Sequence, residues 1–137
     1  MKIITQLFFA GTADEALKLY ERAFGCTVKT LIHYRDAVAY GWEIQNEEIN
    51  DRVYHSEIMF GDYEVRLTDL GNSEKTMLTQ KVTINVGFDT EEEVRNVFSV
   101  LAEEGTITRE LTCPPYMVII GEVRDKFGVT WSLMCDF

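Results

Sequence analysis

The sequence predicts an α+β architecture of two βαβββ modules in succession, and three observations carry that reading. First, Thr12-Ala13-Asp14-Glu15 and Thr90-Glu91-Glu92-Glu93 both read Thr-x-x-Glu. This is the capping-box pattern, in which the Thr side chain accepts the N–H three residues on and the Glu reaches back to the Thr N–H. Second, the two patterns stand 78 residues apart in a chain of 137, each directly after an apolar, strand-like run. Third, the apolar stripe Val94, Val97, Phe98 and Leu101 falls at the same offset from Ala16, Leu19, Tyr20 and Ala23. A duplicated module has a seam, and seams are favourable places for a ligand.

Each element has its own signal. Ile3–Phe9 reads as a strand broken by Gly11; the helix that follows ends at Gly25, a C-terminal glycine. Cys26–Tyr34 is a β-rich run with Val28, Thr30 and Ile32 alternating against Lys29 and His33. Residues 35–52 read as a loop with a strand fragment among Val38, Tyr40, Trp42 and Ile44. Val53–Phe60 and Tyr63–Asp69 are two strands around the two-residue turn Gly61-Asp62. Module one therefore spans 1–69, a linker 70–80 and module two 81–137. In the second module Lys81–Phe88 is a strand, Glu91–Glu104 a helix closed by Gly105, and Ile107–Thr112, Tyr116–Val123 and Thr130–Phe137 the remaining strands.

Composition narrows the function classes. Apolar residues are 46% and aromatics 12% of the chain, an ordinary globular balance. No apolar stretch approaches a membrane span, and the N-terminal run has polar residues inside it and no small-residue cleavage site, so a cytoplasmic protein without a membrane role is expected. The net charge of −10, from 23 acidic against 13 basic residues, argues against nucleic acid and permits a cationic ligand. Cys26, Cys113 and Cys135 are an odd number without metal-type spacing and read as buried thiols in a reducing compartment.

Three ordered motifs resemble one family. Phe8-Phe9-x-Gly11-Thr12-Ala13-Asp14-Glu15-Ala16-Leu17-x-x-Tyr20-x-x-Ala23-Phe24-Gly25 resembles the opening of the PhnB-like proteins, often labelled 3-demethylubiquinone methyltransferase-like. His55-Ser56-Glu57-Ile58-Met59-Phe60-Gly61-Asp62 with Arg66-Leu67-Thr68-Asp69 resembles their first hairpin. Gly121-x-Val123-x-Asp125-Lys126-Phe127-Gly128-Val129-Thr130-Trp131-Ser132-Leu133 resembles their last, with Lys126 where Pro is usual and Val129 where His is usual. The resemblance implies the vicinal-oxygen-chelate superfamily: the glyoxalase/bleomycin resistance/dioxygenase fold, curved mixed sheets around a cavity, and commonly a homodimer. The methyltransferase label carries little weight, because no Gly-rich nucleotide loop follows a first strand.

Metal enzymes of that superfamily place His and Glu ligands on the first and last strand of each module. The 78-residue offset puts those positions at Thr5, Arg66, Thr83 and Ser132. Two threonines, a serine and an arginine do not hold a divalent cation, so no metal and no cofactor is expected. The candidate wall lies instead on one side of the first hairpin, where His55, Glu57, Met59, Glu64, Arg66 and Thr68 alternate with Ile58, Phe60, Val65 and Leu67. His55 and Glu57 share a face and could form a base with its carboxylate or the start of a displaced metal site. The preferred reading is a cross-strand Glu57–Arg66 ion pair with His55 a bystander.

Glu122 could point inward but reads better as a hairpin-end charge, and Tyr116 could rim the cavity. Trp131 is read as core and His33 as a surface residue without a partner. The expected ligand-binding residues are thus His55, Glu57, Met59, Arg66, Thr68 and Tyr116, and the catalytic candidates His55, Glu57 and Glu122. The favoured function is a dimeric small-molecule-binding module without a metal, its pocket, hydrophobic and acidic, lying in the inter-module or dimer cavity. The alternative is a lyase, isomerase or dioxygenase using His55, Glu57 or Glu122, with a divalent metal or by metal-free acid–base chemistry.

Overall fold

Strand alternation and helical periodicity produce the expected order of elements. The computed structural model describes residues 2, 4–41, 47–71, 83–115 and 117–137. The chain divides into two units, Met1–Met77 and Leu78–Phe137.

The first unit runs β1 (Thr5–Phe9), α1 (Ala13–Phe24), β2 (Thr27–His33), α2 (Tyr34–Ala37), β3 (Val53–Phe60) and β4 (Tyr63–Asp69). Its strands lie in the order β1-β4-β3-β2, with β1 parallel to β4 and the other neighbours antiparallel. α1 buries Ala13, Ala16, Leu17, Leu19 and Tyr20, and the sheet answers with the buried Ile58, Val65 and Leu67. The Tyr20 and Phe24 rings lie 6.3 and 5.1 Å from that of Phe60. Burying side chains of this size stabilises by about 1.5–3 kcal/mol each. Gly25 ends α1 at φ 65°, where a side chain would be strained.

Residues 35–52 differ from expectation. Val38–Tyr40 and Glu47–Ile49 form 3₁₀ turns after α2, and no strand fragment occurs among the described residues there. Ala37 and Ile49 are the buried apolar residues among those described there. Trp42 and Ile44, most of the expected linker and Lys81 at the expected start of the next strand lie outside the described residues.

The second unit runs β5 (Thr83–Gly87), α3 (Glu91–Ala102), β6 (Thr106–Thr112), β7 (Ile119–Arg124) and β8 (Thr130–Cys135), in the order β5-β8-β7-β6. α3 buries Val94, Val97, Phe98 and Leu101, the expected stripe. Trp131 is core, as read, and its Nε1–H donates to Asp125 Oδ2 at 2.9 Å. The other Asp125 oxygen accepts the N–H groups of Phe127 and Val129, shaping the turn into β8.

The two helix starts are not alike. Thr90 is extended, accepts the Glu93 N–H at 3.2 Å and completes a capping box with the Glu93 carboxylate. Thr12 sits at φ −111°, ψ 12° and makes no side-chain cap. The N-terminus of α1 is held from β4 instead: Asp69 Oδ1 accepts the N–H groups of Gly11 at 2.8 Å and Ala13 at 3.1 Å. A buried carboxylate also suits the positive end of the helix dipole.

Candidate functional site

The turn at Gly61 sets the register of the first hairpin as expected, with Phe60 opposite Tyr63, Met59 opposite Glu64 and Ile58 opposite Val65. Ile58, Val65 and Leu67 face the helices, leaving His55, Glu57, Met59, Glu64, Arg66 and Thr68 on the open face of the sheet. β1 adds to it: Gln6 pairs with Arg66 and Phe8 with Thr68, while Thr5 pairs with Val65 on the helix side. The open face therefore reads Gln6, Phe8, His55, Glu57, Met59, Glu64, Arg66 and Thr68.

Its charges are not paired as expected. Glu57 turns along its own strand to His55, with Nε2···Oε1 at 3.2 Å, and receives Lys29 at 3.6 Å and the Thr30 hydroxyl at 3.4 Å. Arg66 Nε donates to Glu64 Oε1 at 2.9 Å, and Lys2 Nζ lies 2.9 Å from Glu64 Oε2. The cross-strand Glu57–Arg66 pair is thus replaced by two pairs, each within one strand. One cause lies in Ser56, whose hydroxyl donates to the Leu67 carbonyl at 2.6 Å and accepts the Leu67 N–H at 3.0 Å. A hydroxyl standing in the backbone ladder ends the direct pairing of β3 and β4 beyond Ile58. A second cause is the β2 bulge between Val28 and Thr30, which brings Lys29 to Glu57.

These contacts set the electrostatics. The hydrogen bond from His55, with help from Lys29, holds the Glu57 carboxyl below its ordinary range. Hydrogen bonds from Lys2 and Arg66 bring that of Glu64 down to about 2. The Glu64 side chain is only 6% exposed and forms the fixed centre of the face. A proton on His55 Nε2 directed at Glu57 leaves Nδ1 as the lone-pair nitrogen of the neutral ring, and the side chain is 31% exposed.

The remaining predicted residues fall as follows. Thr68 accepts from Gln6 Nε2 at 3.2 Å, and Met59 lies beside Glu64. Glu122 sits in mid-strand on the second sheet, opposite Ser132 and Arg109, and accepts the Thr108 hydroxyl at 2.7 Å. It is not a hairpin-end charge. Tyr116 lies outside the described residues. His33 is half-buried, with Nε2 at 2.8 Å from Asp14 Oδ2, so it is not the unpartnered surface residue expected. Sequence reading missed Gln6, Lys2, Lys29 and the anchoring roles of Ser56 and Asp69. Only Gln6 had a usable signal, the alternation of β1. Of the thiols expected to be buried, Cys26 and Cys135 are, while Cys113 is exposed; burial and the nearby Glu21 carboxylate push Cys26 up to about 11, which suits a packing role.

A divalent metal does not fit these residues. The β1 position beside Arg66 is Gln6, not Thr5, and in the second unit Thr83 pairs with Thr130 and Asn85 with Ser132. Among the described residues no three His, Cys, Asp or Glu side chains come together. Arg66, held in place by Glu64, brings a fixed positive charge to this face.

Comparison with known proteins agrees with this architecture. Residues 1–134 match the family model described as 3-demethylubiquinone-9 3-methyltransferase. No curated protein matches the chain. The structure is similar to that of PA1353 from Pseudomonas aeruginosa, with TM-score 0.84 and 22% identity over 99% of this chain and 98% of that one. It is also similar to the putative 3-demethylubiquinone-9 3-methyltransferase, PhnB protein, from Bacillus cereus, with TM-score 0.81 and 26% identity over 98% and 99%. The fosfomycin resistance protein FosX from Mesorhizobium loti shares the fold at TM-score 0.64 and 10% identity, over 98% of this chain and 90% of that one. Motifs, family match and paired βαβββ units lead to one assignment: the chain belongs to the 3-demethylubiquinone-9 3-methyltransferase-like (PhnB-like) family, with the fold of the vicinal-oxygen-chelate superfamily.

Proposed function

We propose that this protein binds a small organic molecule on the open face of its first sheet, without a divalent metal, and acts as a homodimer in the cytoplasm. The observation that supports this most is the preorganised polar centre of that face, the buried Glu64 carboxylate fixing Arg66 beside the exposed Phe8 and the half-buried Met59. Such a mixture of apolar walls and a few oriented polar groups is what small-molecule sites present. Methyl transfer is set aside, because no Gly-rich loop follows β1 to hold a nucleotide cofactor. Protein purified without added ions or chelator should contain no stoichiometric metal and should keep its melting temperature in chelator. A stoichiometric ion lost on His55→Ala or Glu57→Ala would overturn the metal-free reading.

One observation favours a second reading. The 3.2 Å His55–Glu57 contact is the arrangement of a base with its orienting carboxylate, so metal-free acid–base catalysis on a bound ligand competes with simple binding. Turnover of a bound compound, abolished by His55→Gln while binding persists, would decide for it.

A further inference from the structure

The charge of the whole chain points to a cationic ligand, but the charge of the open face does not. The protein carries −10 overall. The ion-paired cluster on this face holds Lys2, Lys29 and Arg66 against Glu57 and Glu64, three positive groups against two negative, before any proton on His55 is counted. The pairing is also uneven. Arg66 spends only its Nε–H on Glu64, and its two Nη groups make no hydrogen bond among the described residues. The side chain is 32% exposed and its guanidinium is held by a carboxylate that is 6% exposed. A planar pair of N–H donors, fixed from one side and open on the other, matches the two oxygens of a carboxylate.

The surroundings specify more. Phe8, 44% exposed, stands across from Thr68, and Met59 stands across from Glu64, so both are diagonal neighbours of Arg66. Gln6 is directly beside Arg66. We infer that the open face takes a small carboxylate with an apolar body, the carboxylate on the Arg66 Nη groups and the body against Phe8 and Met59. This rests on the binding face proposed above and names its ligand class. The −10 charge opposes it only at long range, because fields beyond about 8 Å are screened at physiological salt. Direct charge-assisted hydrogen bonds are not screened in that way.

Three probes of one shape test this: benzoate, benzamide and benzamidine, anionic, neutral and cationic. Binding is read from the Arg66 Nε–H and Met59 methyl signals in NMR titrations. Benzoate should bind with a Kd on the order of 1–10 mM, as small fragments do, and benzamidine at least about tenfold more weakly. Arg66→Lys keeps the charge and a partner for Glu64 but removes the fork, and should weaken benzoate about tenfold with the backbone spectrum otherwise unchanged. Arg66→Met should abolish it, and Lys29→Ala should not. Benzamide or benzamidine binding these signals as tightly as benzoate would overturn the anion inference and leave the binding face standing. No shift of either signal with any of the three would overturn the inference and count against the face itself. Benzoate binding unaffected by Arg66→Lys would overturn it as well.

Discussion

Replacing Asp69 should damage the first unit more than any exposed substitution. It is 1% exposed and organises three backbone N–H groups in two separate segments. Oδ1 accepts the N–H groups of Gly11 and Ala13, ahead of and at the start of α1, and Oδ2 accepts the N–H of Val53 at the start of β3, at 2.9 Å. Asp69→Ala leaves the Ala13 and Val53 donors buried without acceptors, while water can reach the part-buried Gly11 N–H. Each buried orphan costs about 1–3 kcal/mol, and the lost helix-dipole interaction adds up to about 1. The sum is about 2–7 kcal/mol, a large share of the 5–15 typical of a domain. At roughly 3 °C per kcal/mol for a chain of this size, the melting temperature should fall by about 6–20 °C. Asp69→Asn keeps one acceptor oxygen and should cost about half as much. Urea titrations followed by circular dichroism measure both. Thr12→Ala is the control, since Thr12 makes no side-chain cap and should change stability by less than about 0.5 kcal/mol, whereas Thr90→Ala should cost about 1. An Asp69→Ala protein within about 1 kcal/mol of wild type, or a Thr12→Ala cost equal to that of Thr90→Ala, would refute this reasoning.

Two further predictions concern pH and packing. Glu64 has its folded pKa lowered to about 2 by Lys2 and Arg66, so its contribution is fully present above the ordinary carboxylate value of about 4.3 and is lost as pH falls from about 5 towards 2. Glu64→Gln should flatten that acid limb in melting temperature against pH and leave the profile near pH 7 parallel to wild type. A Cβ at Gly121 would lie 2.8 Å from both the Phe98 ring and Leu111 Cδ2, and one at Gly105 would lie 2.5 Å from the Arg124 carbonyl oxygen and 2.6 Å from that of Leu101. Gly121→Ala should cost about 1–3 kcal/mol as side chains give way, and Gly105→Ala more, because backbone must move. Chemical denaturation of the two variants measures the order.

The sequence made the elements legible wherever one periodicity ruled. The stripe of α3 and the alternation of β3 and β4 appear as read, because Gly61-Asp62 leaves only one register for the hairpin. The repeat was a poorer guide to faces. Thr5 and Thr83 share the 78-residue offset, yet Thr5 pairs with the helix-side Val65 and Thr83 with Thr130 on the open side of its sheet. The strands also enter their helices differently, Thr12 without a side-chain cap and Thr90 with one. The ion pairs were illegible for an energetic reason. Competing partners for Glu57 differ by a fraction of a kcal/mol, and a bulge at Lys29 and a hydroxyl at Ser56 decide between them. Asp69 and Gly11 stand 58 residues apart, beyond any local pattern.

The most direct test of the binding face uses methionine methyl groups as reporters. The chain has five methionines, and Met59 lies on the open face of the first sheet while Met134 lies on the second sheet. In protein labelled at the methionine methyls and titrated with a library of small organic acids, amines and neutral fragments, the Met59 signal should move first and furthest. Binders that shift Met134 while leaving Met59 unmoved would contradict the account.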